Sequence, residues 1–576
     1  MKRTKLSLAI AAGAAALTLA PVLQANTVEE LSAQLQAMQA QMMAMQAELV
    51  ELKSGEKKPR YTNVQERDYG ELQEQVIGLR EDVDYLSEDV DDMDDRLMAP
   101  ERHAVLDNIR WGGDFRFQAH GVDAQMPDFI DGMQLQGMLV GGLQQAGLLG
   151  DQFDFQELKS VVQGLPPALV EGLLGQMAPL AFRNGYDYDD DIVRTSRLRL
   201  NMQAKVADDV SFTGRLAMYK VWGDSTGVQV FNGQPTSINW DGTASTYPNS
   251  DDLLHVERAY FTWNRIAGSD AFLSIGRRPS TDGVPVNFRH DEPRGGTPMG
   301  SLFNYQFDGI TLGYNINDFS TLRLCYGVSY ESGWGNGSQL RDDMLDDAQF
   351  VGLVWDILDT PTWYVHAIVA RAMDISDGFP ATTILPNDPL TGEPIPAPVP
   401  IRYEPTGTIG DIDLAGLVVT YHQGPMDYFV SLGYSETDPT NHTSPFGGML
   451  ADPFDKPESQ DGSMYYIGAR YTFNNQKTKL GLEFNHGSKN WFNFALAEDD
   501  YLAPKTAARG DVWEAYMTHR IRNTFILKMA YIDYSYDYSG SGWLLGAPKD
   551  LDDTPILGFP TYDEASVWTL GLTARF

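Results

Sequence analysis

From about residue 108 to the end of the chain, apolar side chains fall on alternate positions. In the last such stretch, 564–576, Trp568, Leu570, Leu572, Ala574 and Phe576 share one parity, while Val567, Thr569, Gly571, Thr573 and Arg575 share the other. A period of two is that of a strand with one face for an apolar phase and one for water. Sixteen segments of this kind recur, beginning with 108–121, 194–206 and 210–222 and ending with 511–522, 524–537 and 564–576. Tight connections such as Ala207-Asp208-Asp209, Asp359-Thr360-Pro361 and Asn475-Gln476 alternate with long ones rich in Gly, Pro, Asp and Ser, such as 223–252 and 373–410. An even strand number, with both termini on the short-turn side, predicts an all-β transmembrane barrel of antiparallel strands over 108–576. A β-sandwich gives no such alternation. Closure has a physical cause, because lipid supplies no partner for backbone N–H and C=O groups.

Ahead of Pro100 the period changes. Val28, Leu31, Leu35, Met38, Met42, Met45, Leu49 and Leu52 are spaced by threes and fours, as are Tyr69, Leu72, Val76, Leu79, Val83, Leu86, Val90, Met93 and Leu97. This predicts an α-helical coiled coil over 26–98 in two segments, interrupted around Lys57, Lys58 and Pro59. Each rod would be roughly 40 Å long. The competing reading is an amphipathic helix lying on the chain's own barrel. Residues 1–25, with Lys2, Arg3 and Lys5 before an apolar run, read as a secretory signal peptide.

Composition narrows the classes. Beyond the first twenty residues no run of about 18 apolar residues is present, so a membrane domain must cross with strands. The counts of 54 Gly, 27 Tyr, 26 Phe and 11 Trp suit strands with aromatic girdles. A formal charge of −36 excludes a nucleic-acid binder, which needs a basic footprint. The single cysteine, Cys325, excludes an internal disulfide framework.

The stretches SRLRLNMQAKVADDVSFTGRLAMYKVW (Ser196 to Trp222), HVERAYFTW (His255 to Trp263), LSIGRRP (Leu273 to Pro279) and FDGITLGYNI (Phe307 to Ile316) resemble the hairpins of bacterial porins. Signal peptide, coiled coil and barrel together resemble a proteobacterial group of porin-like outer-membrane proteins. The terminal aromatic resembles the insertion signal of such barrels, with Trp568, Leu570, Leu572 and Phe576 as its carriers. The resemblance implies a passive diffusion channel for small hydrophilic solutes in the bacterial outer membrane, with its stalk in the periplasm. Implied partners are membrane lipid, lipopolysaccharide, the insertion machinery, further copies of the chain, as a trimer, and peptidoglycan. The alternatives are a barrel that sheathes a partner such as an electron-transfer conduit, and a tether between outer membrane and cell wall.

Sorting charge by face puts Arg116, Arg197, Arg199, Arg215, Arg258 and Arg278 on the lumen side, where few acids accompany them. Two readings follow: a cationic wall that attracts anions, or arginines paired with acids of an inward-folded loop, for which Asp282, Asp291 and Glu292 stand ready. The first long loop, 123–193, carries helical spacing at Leu169, Val170, Leu173, Leu174, Met177 and Leu180 and is expected to fold over or into the pore, to meet a neighbouring protomer, or to cap the surface. The acidic run Asp187, Asp189, Asp190 and Asp191 lacks the glycine and closing Glu of a calcium loop and reads as a rim able to bridge lipopolysaccharide through divalent ions. His366, His422 and Glu514 form no sequence motif for catalysis. No catalytic, metal or cofactor site is expected, and the chain has no C-x-x-C-H for haem.

Overall fold

The computed structural model describes residues 109–150, 153–222, 254–331, 345–377, 407–495, 500–558 and 561–576. The signal peptide (1–25) and the two-part coiled coil (26–98) lie outside the described residues. Among the described residues sixteen strands form the barrel, apart from a small sheet of Phe129–Asp131, Phe182–Arg183 and Ile556–Gly558: β1 (Ile109–Met126), β2 (Tyr186–Lys205), β3 (Val210–Val221), β4 (His255–Trp263), β5 (Ala271–Arg277), β6 (Asp308–Asn317), β7 (Ser320–Tyr330) and β8 (Ala348–Asp359). They continue with β9 (Trp363–Ser376), β10 (Thr408–Gln423), β11 (Met426–Pro439), β12 (Asp461–Thr472), β13 (Thr478–Gly487), β14 (Gly510–Arg522), β15 (Phe525–Tyr536) and β16 (Glu564–Arg575). Each pairs antiparallel with its sequence neighbours, and β16 pairs with both β15 and β1, so the sheet closes into a barrel.

The closing register runs from Gln125↔Glu564 to Asp114↔Arg575, and Phe576 adds two bonds, Phe576 N to Gly113 O at 3.0 Å and Gly113 N to Phe576 O at 2.8 Å. A side chain at Gly113 would meet the Phe576 ring and the Arg199 carbonyl, so the closure needs glycine there. The outward parity is apolar and exposed, as at Leu312, Val430, Leu432, Leu482 and Leu570. Near the short turns this belt is edged by Trp111, Trp263, Trp363, Tyr428, Tyr471 and Phe525, and towards the long loops by Tyr465, Trp513 and Trp568. An exposed apolar belt between aromatic edges is a surface matched to lipid.

The main departure from the expected strands is the β1–β2 hairpin. β2 begins at Tyr186 rather than at 194, because the pair continues past a bulge between His120 and Val122. Asp187 and Asp189, read as loop, stand in the strand, where the exposed carboxylates cost nothing in water. The rest of the loop holds three helices: α1 (Gly132–Gln145), α2 (Phe155–Gly164) and α3 (Pro167–Ala181). Asp131 caps α1 through Gln134 N, Asp154 caps α2 through Glu157 N, and α3 starts on Pro167. The helices dock on the β11–β12 connection through Gln136 to Pro445 O (3.3 Å), Gln156 to Thr443 O (2.7 Å) and Lys159 to Thr443 Oγ1 (2.8 Å). At the long-loop end they thus join the β1–β2 connection to the β11–β12 connection.

Candidate functional site: the occupied lumen

In β2 the alternation turns Leu198, Leu200 and Met202 outward and Arg197, Arg199 and Asn201 inward. Register sets Arg197 opposite Arg116 and Arg199 opposite Asp114. Like charges opposed across a ladder repel, and Asp114 relieves this by binding Arg197 at 3.0 Å and Arg199 at 2.7 Å. On the other side, Arg215 of β3 stands opposite Arg258 of β4. The register shift there turns both Glu257 and Arg258 into the lumen, and Glu257 reaches Arg215 at 3.0 Å.

The remaining partners come from the segment 278–307, which leaves β5 at the long-loop end and folds into the barrel. Asp282 lies 3.3 Å from Arg199, 3.1 Å from Arg215 and 3.2 Å from Arg258. Glu292 takes Arg199 Nη2 on both oxygens, at 2.8 and 2.9 Å, and Arg197 at 3.3 Å. Asp291 faces the opposite wall, with Lys479 at 2.6 Å and Arg470 and Arg520 each at 3.5 Å. Arg575 donates to the Asp291 carbonyl at 3.2 Å, and Arg294 bonds Asp359 at 2.8 Å while stacking over Tyr364. Since Lys479, Asp359 and Arg575 sit beside short turns or the chain end, the segment runs the height of the lumen.

Burial alone would raise the carboxyls of Glu292 and Asp291. Arg199 and Arg197 outweigh it for Glu292, as Lys479 and Arg470 do for Asp291, and both are held below the usual carboxylate range. The neighbouring His290 is pushed well below the usual imidazole value by burial and by Lys528 and Arg289.

The other half of the lumen is apolar. Val284, Val286, Phe288, Met299, Leu302 and Phe303 of the inward segment pack on Phe350, Val354, Ile368, Ile412, Leu414, Val418, Phe429 and Tyr466 of the wall. A second inward segment, between β13 and β14, adds Trp491, which bonds Thr506 O at 2.8 Å. Glycines of the wall make room: a Cβ at Gly433 would stand 2.5 Å from Trp491, and one at Gly416 would stand 2.3 Å from Met299. Beneath this segment Lys505 joins Glu483 and Glu514, and Arg289 joins Asp500 and Glu514, all almost wholly buried. Water-sized space remains in a small cleft among Gln118, His120, Arg289, Asp500, Lys528 and Thr569.

The structure thus brings Arg197, Arg199, Arg215 and Arg258 into one cluster and pairs each with carboxylates, taking the second of the two readings of these arginines. Arg116 is buried beside them. Arg278 stands apart, at the root of the inward segment, bonded to Ser274 and stacked over Tyr260. Trp568, Leu570, Leu572 and Phe576 all face outward and exposed. Sequence reasoning missed the apolar half, although β8 and β10 carry a signal for it: FVGLVW (350–355) and LAGLVV (414–419) are apolar on both parities, which a water-filled lumen does not require. Among the described residues the lumen is occupied by the chain itself. His366 donates to Asp356 at 2.8 Å through Nδ1, the Tyr364 hydroxyl donates to the same oxygen at 2.8 Å, and His366 Nε2 has no hydrogen-bond partner.

These features define a porin-like β-barrel with an inward-folded segment. Residues 187–576 match the family described as a protein of unknown function (DUF3373), and the chain belongs to that family. No significant match to a curated protein was found. Among solved structures, OmpT, an outer membrane protein of Vibrio cholerae, aligns at 12% identity over 81% of this chain and 97% of its own, with a TM-score of 0.36. The outer membrane channel DcaP of Acinetobacter baumannii aligns at 11% identity over 81% and 97%, with a TM-score of 0.38. A mutant of the Rh. blastica porin aligns at 12% over 81% and 100%, with a TM-score of 0.34. The barrel itself rests on the strand pairings above.

Proposed function

We propose that the protein is an outer-membrane channel of the porin type that is held closed by its own segment 278–307 and passes small anions when that segment yields. The observation that carries this reading is the pairing of Asp282, Asp291 and Glu292 with cations on both walls of the polar half of the lumen. The lipid-matched belt supports the membrane location, and the long loops would face the exterior, as in bacterial barrels generally. The apolar half is packed like a protein interior and stays filled, as does the cluster of Leu502 and Ala508 with Val512, Ile532 and Tyr534 of β14 and β15, so the route lies beside the arginines of β2–β4. There the wall exposes Arg197, Arg199, Arg215 and Arg258 once the carboxylates leave, and confined arginines attract anions.

The test is the zero-current potential of purified protein in a planar bilayer under a salt gradient. The triple variant D282N/D291N/E292Q should prefer anions, and adding Arg197→Ser, Arg199→Ser and Arg215→Ser should shift its potential towards cations. The shift should shrink in high salt, as the Debye length falls from about 10 Å at 0.1 M to about 3 Å at 1 M. A potential that the arginine replacements leave unchanged, in conducting protein, overturns the anion route.

The N-terminal coiled coil is proposed as a periplasmic stalk that joins three copies and reaches towards peptidoglycan, on the strength of its heptad spacing. Outward acids beyond the belt, Asp123, Asp187 and Asp189, are proposed to meet lipopolysaccharide through divalent ions.

A further inference from the structure

The tip of the inward segment presents two adjacent carboxylates to two nests of cations on facing walls. Glu292 sits in the fork of Arg199, with Arg197 beside it; both arginine side chains are 4% exposed. Asp291 sits among Lys479, Arg470 and Arg520. Each nest keeps one wall carboxylate of its own. With Glu292 withdrawn, Arg197 and Arg199 would keep Asp114, and Arg199 also Asp282 at 3.3 Å, an acid it shares with Arg215 and Arg258. With Asp291 withdrawn, Asp427, bonded to Arg470 at 2.6 Å, would remain on that wall, while Lys479 would lose its 2.6 Å partner. Breaking a buried pair by removing one partner is strongly unfavourable, since it strands an uncompensated charge. The tip is therefore poorly displaced by water, and well displaced only by another anion.

We infer that the two nests form a binding site for a small multivalent oxyanion, for which Asp291 and Glu292 are a tethered stand-in. The inference rests on the channel reading and names the class of solute that competes for its closed state. Guanidinium forks match planar or tetrahedral oxyanions through paired N–H···O bonds, whereas Lys479 contributes a point charge. Chloride offers neither two oxygens nor two charges, so it competes weakly. Because the stand-in is part of the chain, its effective concentration at the nests is high, in the millimolar range or above for a short tether. A free oxyanion must outcompete it, so intrinsic affinity is masked in the native protein.

Equilibrium dialysis of labelled inorganic phosphate against full-length protein in detergent tests this at constant ionic strength. The variant D291N/E292Q should bind phosphate at least about tenfold more tightly than the native chain, equivalent to about 1.4 kcal/mol. Adding Arg199→Gln should remove that gain, and equimolar chloride should not. A β-rich circular dichroism spectrum matching that of the native protein reports that the barrel is intact. If the double variant loses it, the single variant Glu292→Gln serves, with a smaller gain expected. Equal binding by native and variant protein, no binding by either, or a gain that survives Arg199→Gln each overturns the inference. Binding is read without conduction: a protein that gains phosphate affinity but never conducts refutes the channel alone, and one that conducts without the gain refutes this site alone.

Discussion

Glu292 shows how a single residue acts in this lumen. Its carboxyl is lowered in the folded protein, so its contribution to stability is fully present above the unfolded value, about 4.3, and is lost as the pH falls through the folded value. At pH 7, Glu292→Gln leaves Arg197 and Arg199 short of one charge and should destabilise the protein by about 3 kcal/mol. The difference should narrow as the pH is lowered beneath the ordinary carboxylate range, because the unfolded chain then takes up a proton at Glu292 that the folded protein does not. Denaturant midpoints of native and variant protein between pH 7 and pH 3 check this. A gap that stays constant with pH would mean that the charge of Glu292 is not what holds the segment. At this scale the sequence was informative where parity governs. Arg197 and Arg199 were placed on the inner face by alternation alone. Glu257 was missed because a bulge turns two consecutive residues inward, and no period reveals a bulge.

Among elements, β16 carries the closure: it pairs on both edges, and Phe576 extends the β1 ladder at Gly113. Replacing Phe576 with Asp sets a charge at the lipid edge and removes the ring over Gly113. We expect lower outer-membrane levels and material stranded in the periplasm, measured by fractionation; normal surface display would count against the terminal aromatic as an insertion signal. Strand positions were legible because one face must suit lipid, which forces the alternation. Helices α1–α3 were legible only in part: the spacing at 169–180 marks α3, while α1, with its glycines and glutamines, shows little periodicity and gains its place by packing Leu139 and Leu143 on α2. For the stalk, sedimentation of a fragment covering 26–98 should give an oligomeric mass that Leu35→Asp with Met42→Asp reduces to the monomer, since the pair buries unpaired charge in the seam. A native fragment that is already monomeric would place those helices elsewhere.

For the whole molecule, the barrel and its strand number follow from local alternation and turn lengths, both written in the chain. Occupancy of the lumen does not. It depends on which side chains of 278–307 and 488–509 reach which wall positions, contacts between residues far apart in sequence, as with Arg289 and Asp500 or Ser301 and Ser431. The central claim is that this segment closes the barrel by ion pairing, and single-channel conductance tests it most directly. Native protein in a planar bilayer should show small or rare openings, and D282N/D291N/E292Q should open to a distinctly larger and more persistent conductance. Wide, steady openings in the native protein that the triple variant leaves unchanged would contradict the account.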